Sequence, residues 1–181
     1  MNHTCPSSPR HKQQGMALFE ILISLLITAF GVLGYIGFQA RTSVAQLEGY
    51  QRTQALMLIN DMAERISLNR ENAAAYVADN IGVADPGDCA LAVGRVAADT
   101  CEWASLIRGV AEEEDGASVG AMINARACII SPAANEYVIS LVWQGVQASG
   151  APTTACGQGA YASEDTRRAV TTRVQIADLG A

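Results

Sequence analysis

The chain has 181 residues, a mass of 19.0 kDa, a hydrophobic half and a formal net charge of −6. That length provides one modest core, and the acidity disfavours nonspecific attachment to nucleic acid or anionic surfaces, so no nucleic-acid partner is expected. His3, His11 and the lone lysine, Lys12, all lie at the start. The remainder therefore cannot build a Ser–His or Cys–His nucleophile pair, a histidine metal site or a Schiff-base lysine. No Asp/Glu pair stands out by spacing, and no phosphate-binding glycine loop occurs. The reading is a protein without catalytic residues, metal or cofactor.

Residues 1–15, MNHTCPSSPRHKQQG, are polar and read as a leader. From Met16 to Phe38, 23 residues carry one charge, Glu20. As a helix they span about 34 Å, enough to cross a bilayer core. Arg10 and Lys12 precede the run and Arg41 follows it, which leaves the N-terminus cytoplasmic and the rest exported. Without Arg10 and Lys12 the net charge is −8. Gly31, Gly34 and Gly37 form a thin stripe along this helix, where a second helix can approach.

The helical pattern continues past Gln39. Ala55, Ile59, Met62 and Ile66 fall on one face, and Glu48 precedes Arg52 in the favourable i,i+4 order. One helix is expected from Met16 to near Asn69, about 80 Å long. Its second half is apolar on one side, as needed to lie on a globular domain.

Further on, Asp85–Asp88 (DPGD) signals a turn. The stretch DTCEWASLIRGVAEEEDG reads as a short helix capped by Asp99 or Thr100 and ended by Gly116, with Trp103, Leu106, Ile107 and Val110 on one face. The acidic run Glu112–Asp115 lies at the wrong end for the helix dipole and reads as a solvated turn rather than a cation site. The last third reads as strands. ARACIIS is short and apolar. In EYVISLVWQG, Tyr137, Ile139, Leu141 and Trp143 alternate with Val138, Ser140 and Val142. In RRAVTTRVQIAD, Val170, Thr172, Val174 and Ile176 share a side. A long Gly/Ala/Ser/Thr loop separates the last two. The fold class is α+β, a long N-terminal helix packed on a small antiparallel sheet.

Cys5 lies in the leader; Cys89, Cys101, Cys128 and Cys156 lie beyond the apolar run. An even set in an exported domain points to disulfides. Of the three possible pairings, Cys89–Cys101 with Cys128–Cys156 closes the most local loops, each bridge contributing roughly 3 kcal/mol. The spacings are too wide for a zinc site.

The residues GMALFEILISLLI resemble the N-terminus of type IV pilins and pseudopilins: a basic leader ending in glycine, then an apolar helix with glutamate fifth. Gly15 ends the leader here, Met16 stands where phenylalanine is usual, and Glu20 is that glutamate. The stem, with YQRTQA and DMAERI, resembles minor pilins of the PilV type, the type IV pilus modification proteins. The C-terminal ACIIS, YVISLVWQG, CG and RRAVTTRVQI fit the same family.

The resemblance implies a route. An inner-membrane prepilin peptidase cuts between Gly15 and Met16 and methylates the new amine of Met16. The inner-membrane pilus assembly machinery then draws the chain into a fibre beside the major pilin and other minor pilins, whose assembly it helps to prime. Glu20 would dock on the Met16 amine of a neighbouring subunit. The expected parts are a leader (1–15), a transmembrane and fibre-core helix (16–40), an amphipathic stem (41–70) and a periplasmic pilin domain (71–181). Trp103, the Glu112–Asp115 run and the loop around Cys156 would be the groups this domain presents to partners. The expected location is the inner membrane, then the pilus. A minor pseudopilin of a type II secretion system is the alternative, and release by signal peptidase before Gln46 a more distant rival.

Overall fold

In the computed structural model, residues 16–110 and 122–177 are described, together with the backbone of 113–114 and 117–118. The chain divides into two units after Ala45. Helix α1, Met16–Leu68, is continuous over 53 residues and contains no proline. Up to Ala45 it makes up the whole described part of the first unit.

In the second unit, the end of α1 supplies one wall of the core. Gln51, Ala55, Leu58, Ile59, Met62 and Ile66 are buried along one stripe, as the three-and-four spacing of their apolar members demands. They pack on a four-stranded antiparallel sheet in the order β1–β4–β5–β6. Its strands are β1 (Ala78–Ile81), β4 (Arg126–Ala133), β5 (Glu136–Gln144) and β6 (Arg167–Gln175). Two short strands, β2 (Glu113–Glu114) and β3 (Ala117–Ser118), form a separate ladder. The fold is the α+β helix-on-sheet arrangement that the sequence pattern indicates.

Alternation assigns the faces. Ala127 and Ile129 of β4, Tyr137, Ile139, Leu141 and Trp143 of β5, and Val170 and Val174 of β6 all face the helix. The opposite face is also covered in part. Cys128, Val142, Cys156 and Tyr161 form a second, smaller apolar cluster there. The loop between β5 and β6 folds over that face, so β5 is buried on both sides from Ile139 to Trp143.

Helix α2, Arg95–Ile107, starts earlier and ends earlier than its sequence signals suggest. Gly94, at φ +90°, turns the chain into the helix and occupies the N-cap position. Asp99 is no cap; it sits inside the helix, buried, and its carboxylate is taken up by other elements. Trp103 and Ile107 do share the inner face, whereas Val110 lies past the helix end and is exposed. Gly116 does not end α2; the helix stops nine residues sooner, at Ile107, where Arg108 is the C-cap. The pair Glu48–Arg52 also gives way: Glu48 instead accepts from Arg168 of β6 at 3.2 Å and from the backbone N–H of Gln147.

Two features of the sheet lack a sequence signature. Strand β1 is only four residues long, and its register against β4 shifts where Asn80 adopts φ 56°, a conformation that asparagine tolerates better than most residues. Strand β4 continues beyond Ser131 through Pro132 to Ala133, with a register shift before Ala133. Such an irregularity is where a sheet accepts a proline that cannot donate to its ladder.

Candidate functional site

Three regions bear on function: the apolar half of α1, the junction of α1 with α2, and the loop that covers the outer face of the sheet. Gly15 lies outside the described residues. Met16 begins α1, and Glu20 lies one turn in, in an exposed run of apolar side chains. From Met16 to Phe38 the large apolar residues are exposed on every side of the helix, and the helix is long and apolar enough to cross a membrane. An amphipathic helix buries one stripe; one that is apolar all round needs an apolar surrounding on all sides. The hydroxyls of Ser24 and Thr28 donate to the carbonyls of Glu20 and Ser24, 2.8 and 2.7 Å away. These bonds satisfy both hydroxyls within the helix, as an apolar surrounding requires. A Cβ added at Gly31, Gly34 or Gly37 would meet nothing within 4 Å, so these glycines answer to no contact among the described residues.

At the junction, Arg65 of α1 ties three carboxylates. Its Nε donates to Asp61 at 2.9 Å, and one Nη donates to Asp99 at 3.1 Å and Glu102 at 2.8 Å on α2. Tyr76, at the end of a 3₁₀ segment (Arg70–Tyr76), donates its hydroxyl to Asp99 at 2.5 Å. Arg95 approaches the same carboxylate at 3.4 Å. Burial by itself would lower the pKa of Arg65, but the hydrogen bonds it donates to Glu102 and Asp61, with the charges of Asp61 and Asp99, raise it instead. The Tyr76 hydroxyl is likewise held above its ordinary value, by burial first and then by its bond to Asp99. The indole of Trp103 is fully buried, with Nε1 donating to the Leu58 carbonyl at 2.8 Å. It is an internal fastener between α2 and α1, which corrects the expectation that Trp103 is presented to partners.

The structure bonds Cys89 to Cys101 and Cys128 to Cys156, with Cα separations of 5.5 and 5.8 Å. The first bridge joins the short 3₁₀ turn Cys89–Leu91, whose start is capped by Asp88, to α2. The second ties the β5–β6 loop to β4. That loop has a second fastener, Arg167, which is 2% exposed. One Nη of Arg167 donates to the carbonyls of Thr154 and Cys156 at 2.7 and 2.9 Å, and the guanidinium grips Glu164 from Nε at 2.8 Å and Nη2 at 2.6 Å. Glu164 also accepts the Gly159 N–H at 2.7 Å; that backbone bond first, and Arg167 second, holds its carboxyl below the usual glutamate range. Gly157 sits at φ +65° under this clasp, where a Cβ would come within 2.8 Å of Val142. Pattern reading found the cysteines but not Arg65, Asp99 or Arg167, whose partners are distant in sequence.

Of the acidic run, Glu112 and Asp115 lie outside the described residues, while the backbone of Glu113–Glu114 pairs with that of Ala117–Ser118. Among the described residues no cluster of three His, Cys, Asp or Glu is placed to hold a metal ion.

A family model described as "Tt1218-like: Type IV pilin Tt1218" matches residues 37–103. The match begins in the apolar part of α1, runs through its core-packing half and ends inside α2. Among curated proteins and among solved structures, nothing matches.

Proposed function

We propose that this chain is a minor pilin, a structural subunit of a type IV pilus and not an enzyme. The observation that carries the reading is α1 itself. It is one continuous helix whose first half exposes apolar side chains all round and whose last turns build the core of a sheet domain. A protein that must leave a membrane for the centre of a fibre needs such a helix, because lipid and packed helices are both apolar surroundings. The match of residues 37–103 to type IV pilins supports the same role.

In this reading residues 1–15 are the leader, 16–40 the membrane and fibre-core helix, 41–70 the stem and 71–181 the periplasmic domain. A prepilin peptidase cuts after Gly15, where the residue before the cut has no side chain to obstruct the backbone, and Met16 is N-methylated. The chain rests in the inner membrane with its C-terminal domain in the periplasm. From there the pilus assembly machinery brings it into the fibre with the major pilin and other minor pilins, and it helps to prime assembly. A carboxylate in hydrocarbon costs several kcal/mol unless it is paired. Glu20 meets that cost by pairing with the positive amine of Met16 on a neighbouring subunit, a contact that favours one axial register.

The test is to isolate the protein from sheared surface fibres and from inner membranes, and to determine its N-terminus by mass. Methylated Met16 in both fractions is expected. Glu20→Ala should still be cut, yet be lost from the fibres. A mature chain beginning at Gln46, or undiminished Glu20→Ala protein in the fibres, would overturn the reading.

A further inference from the structure

We infer that the free edge of β6, with the groove between β6 and α1, is a docking site for an extended segment of another polypeptide, which adds to the sheet as a fifth strand. β6 is the last strand of the sheet, and nothing among the described residues pairs with its outer side. The register against β5 is unbroken over all nine residues, from Arg167 opposite Gln144 to Gln175 opposite Glu136. The flanking bonds fix which backbone groups point outward. The Gly145 N–H donates to the Thr166 carbonyl, and the Ile176 N–H to the Asn135 carbonyl, both at 2.8 Å. Hydrogen-bonded pairs alternate along an antiparallel ladder. Arg168, Val170, Thr172 and Val174 therefore bond to β5, while Ala169, Thr171, Arg173 and Gln175 direct their N–H and C=O groups to the open side.

Exposed edges are normally blunted by short length, charged side chains, proline or bulges, and along β6 the one well-exposed charge is Arg173. The other edge of this sheet is treated in that way: β1 is four residues long and its register is irregular. β6 has neither proline nor bulge. Beside it lies a groove of about 640 Å³, lined by the apolar Ala63, Leu68 and Val174, by the polar Asn60, Glu64 and Ser67 of α1, and by Arg173 and Gln175. Leu68 is 77% exposed there. An added strand would place every second side chain in this groove and the others on the outer face, beside Thr171 and Arg173.

That geometry states the chemistry of the occupant. Groove-side residues are apolar where they cover Leu68 and Ala63 and small where they pass Asn60, Glu64 and Ser67. Outer residues are polar or acidic, because Arg173, the one well-exposed charge on β6, keeps its side chain 68% exposed even with Glu136 beside it. A second copy of β6 carries the same exposed Arg173 and no acid of its own, so it lacks the acidic side chain that this cation would select. Main-chain bonds supply the affinity and the alternating side chains the selectivity. The inference does not rest on the pilus assignment.

The test uses the full chain in detergent micelles and a synthetic peptide as long as β6, with valine alternating with threonine and glutamate. Binding is read by calorimetry and by amide hydrogen exchange. The expected result is saturable binding with new protection at Ala169, Thr171, Arg173 and Gln175. Peptides N-methylated at alternate positions separate the edges: blocking the protein-facing edge should weaken binding at least about tenfold, and blocking the other edge should not. Thr171→Pro removes an outward N–H and leaves the β5 ladder intact, so it should also weaken binding at least about tenfold. Absence of peptide binding at millimolar concentration, binding without protection along β6, or protection that appears without peptide as the protein is concentrated would each overturn the inference, the last in favour of self-association.

Discussion

Replacing Arg167 by methionine tests whether one guanidinium holds down the loop that covers the outer face of the sheet. The side chain is almost wholly buried, and two of its acceptors, the Thr154 and Cys156 carbonyls, lie within 2.9 Å. Methionine fills a similar volume but donates nothing. A buried carbonyl left without a donor costs about 1–3 kcal/mol, and bonds to a charged donor lie toward the strong end. Glu164 contributes less, because its side chain is 36% exposed and returns to water. The bond to the Pro152 carbonyl, at 3.4 Å, is long enough to discount. The sum is a loss of about 3 kcal/mol, reduced if water reaches the loop. Arg167→Lys keeps the charge but cannot span the carbonyls and the carboxylate together, so it should lose about 1–2 kcal/mol. The assay is urea unfolding of the full chain in micelles, followed by tryptophan fluorescence, since Trp103 and Trp143 are both in the core. Amide exchange should show residues 152–164 losing protection before the sheet does. A loss below about 1 kcal/mol for Arg167→Met, with that protection unchanged, would refute the clasp.

Gly82→Ala should destabilise the domain by about 2 kcal/mol or more, because Gly82 is at φ +87° and an added Cβ would lie 2.6 Å from the Ile107 side chain; urea unfolding checks this. Trp103→Phe removes the indole donor from the Leu58 carbonyl and should cost about 2 kcal/mol by the same assay. The raised pKa of Tyr76 means that the folded state favours the neutral phenol. Its contribution is thus fully present below the ordinary tyrosine pKa and is lost as pH rises through the raised value. Ultraviolet titration should show two late-titrating tyrosines among the five, Tyr76 and Tyr161, which burial also raises, and Tyr76→Phe should remove one of them.

The stem was legible because its signal is local: the spacing of Ala55, Ile59, Met62 and Ile66 is itself the geometry of a helix face. The long strands were legible for the same reason, through alternation. The start of α2 was not. Asp99 has the chemistry of a cap, and its local sequence says nothing of Arg65, 34 residues earlier, which with Tyr76 draws it inside. β1 was missed because ADNI has no alternation and depends on Asn80 adopting a left-handed conformation. Alternation along β5 also hid the burial of Ser140 and Val142. Those residues are covered only because the Cys128–Cys156 bridge and Arg167 bring a distant loop over them. For Met16 and Glu20 the relation is reversed: a sequence motif singles them out, and no side-chain contact among the described residues does.

The composition acquires a second meaning from these contacts. The one lysine is Lys12, and the histidines are His3 and His11, so every basic side chain after residue 12 is an arginine. The absence of lysine first served to exclude one kind of catalysis, but the structure gives the arginines work of their own. Arg65 binds Asp61, Asp99 and Glu102 across two helices. Arg167 binds two carbonyls and a carboxylate, and Arg168 links the Asp165 and Gln147 carbonyls to Glu48 on α1. Each joint needs several donors arrayed in a plane, which a guanidinium provides and an ammonium does not. The joints of Arg167 and Arg168 hold the loop between β5 and β6, whose irregular backbone cannot hold itself through a ladder or a helix. With these three arginines engaged inside the domain, a surface near them that recognises a partner must do so without them. The open backbone edge of β6 is such a surface, and it recruits only the remaining reach of Arg173 to choose among strands.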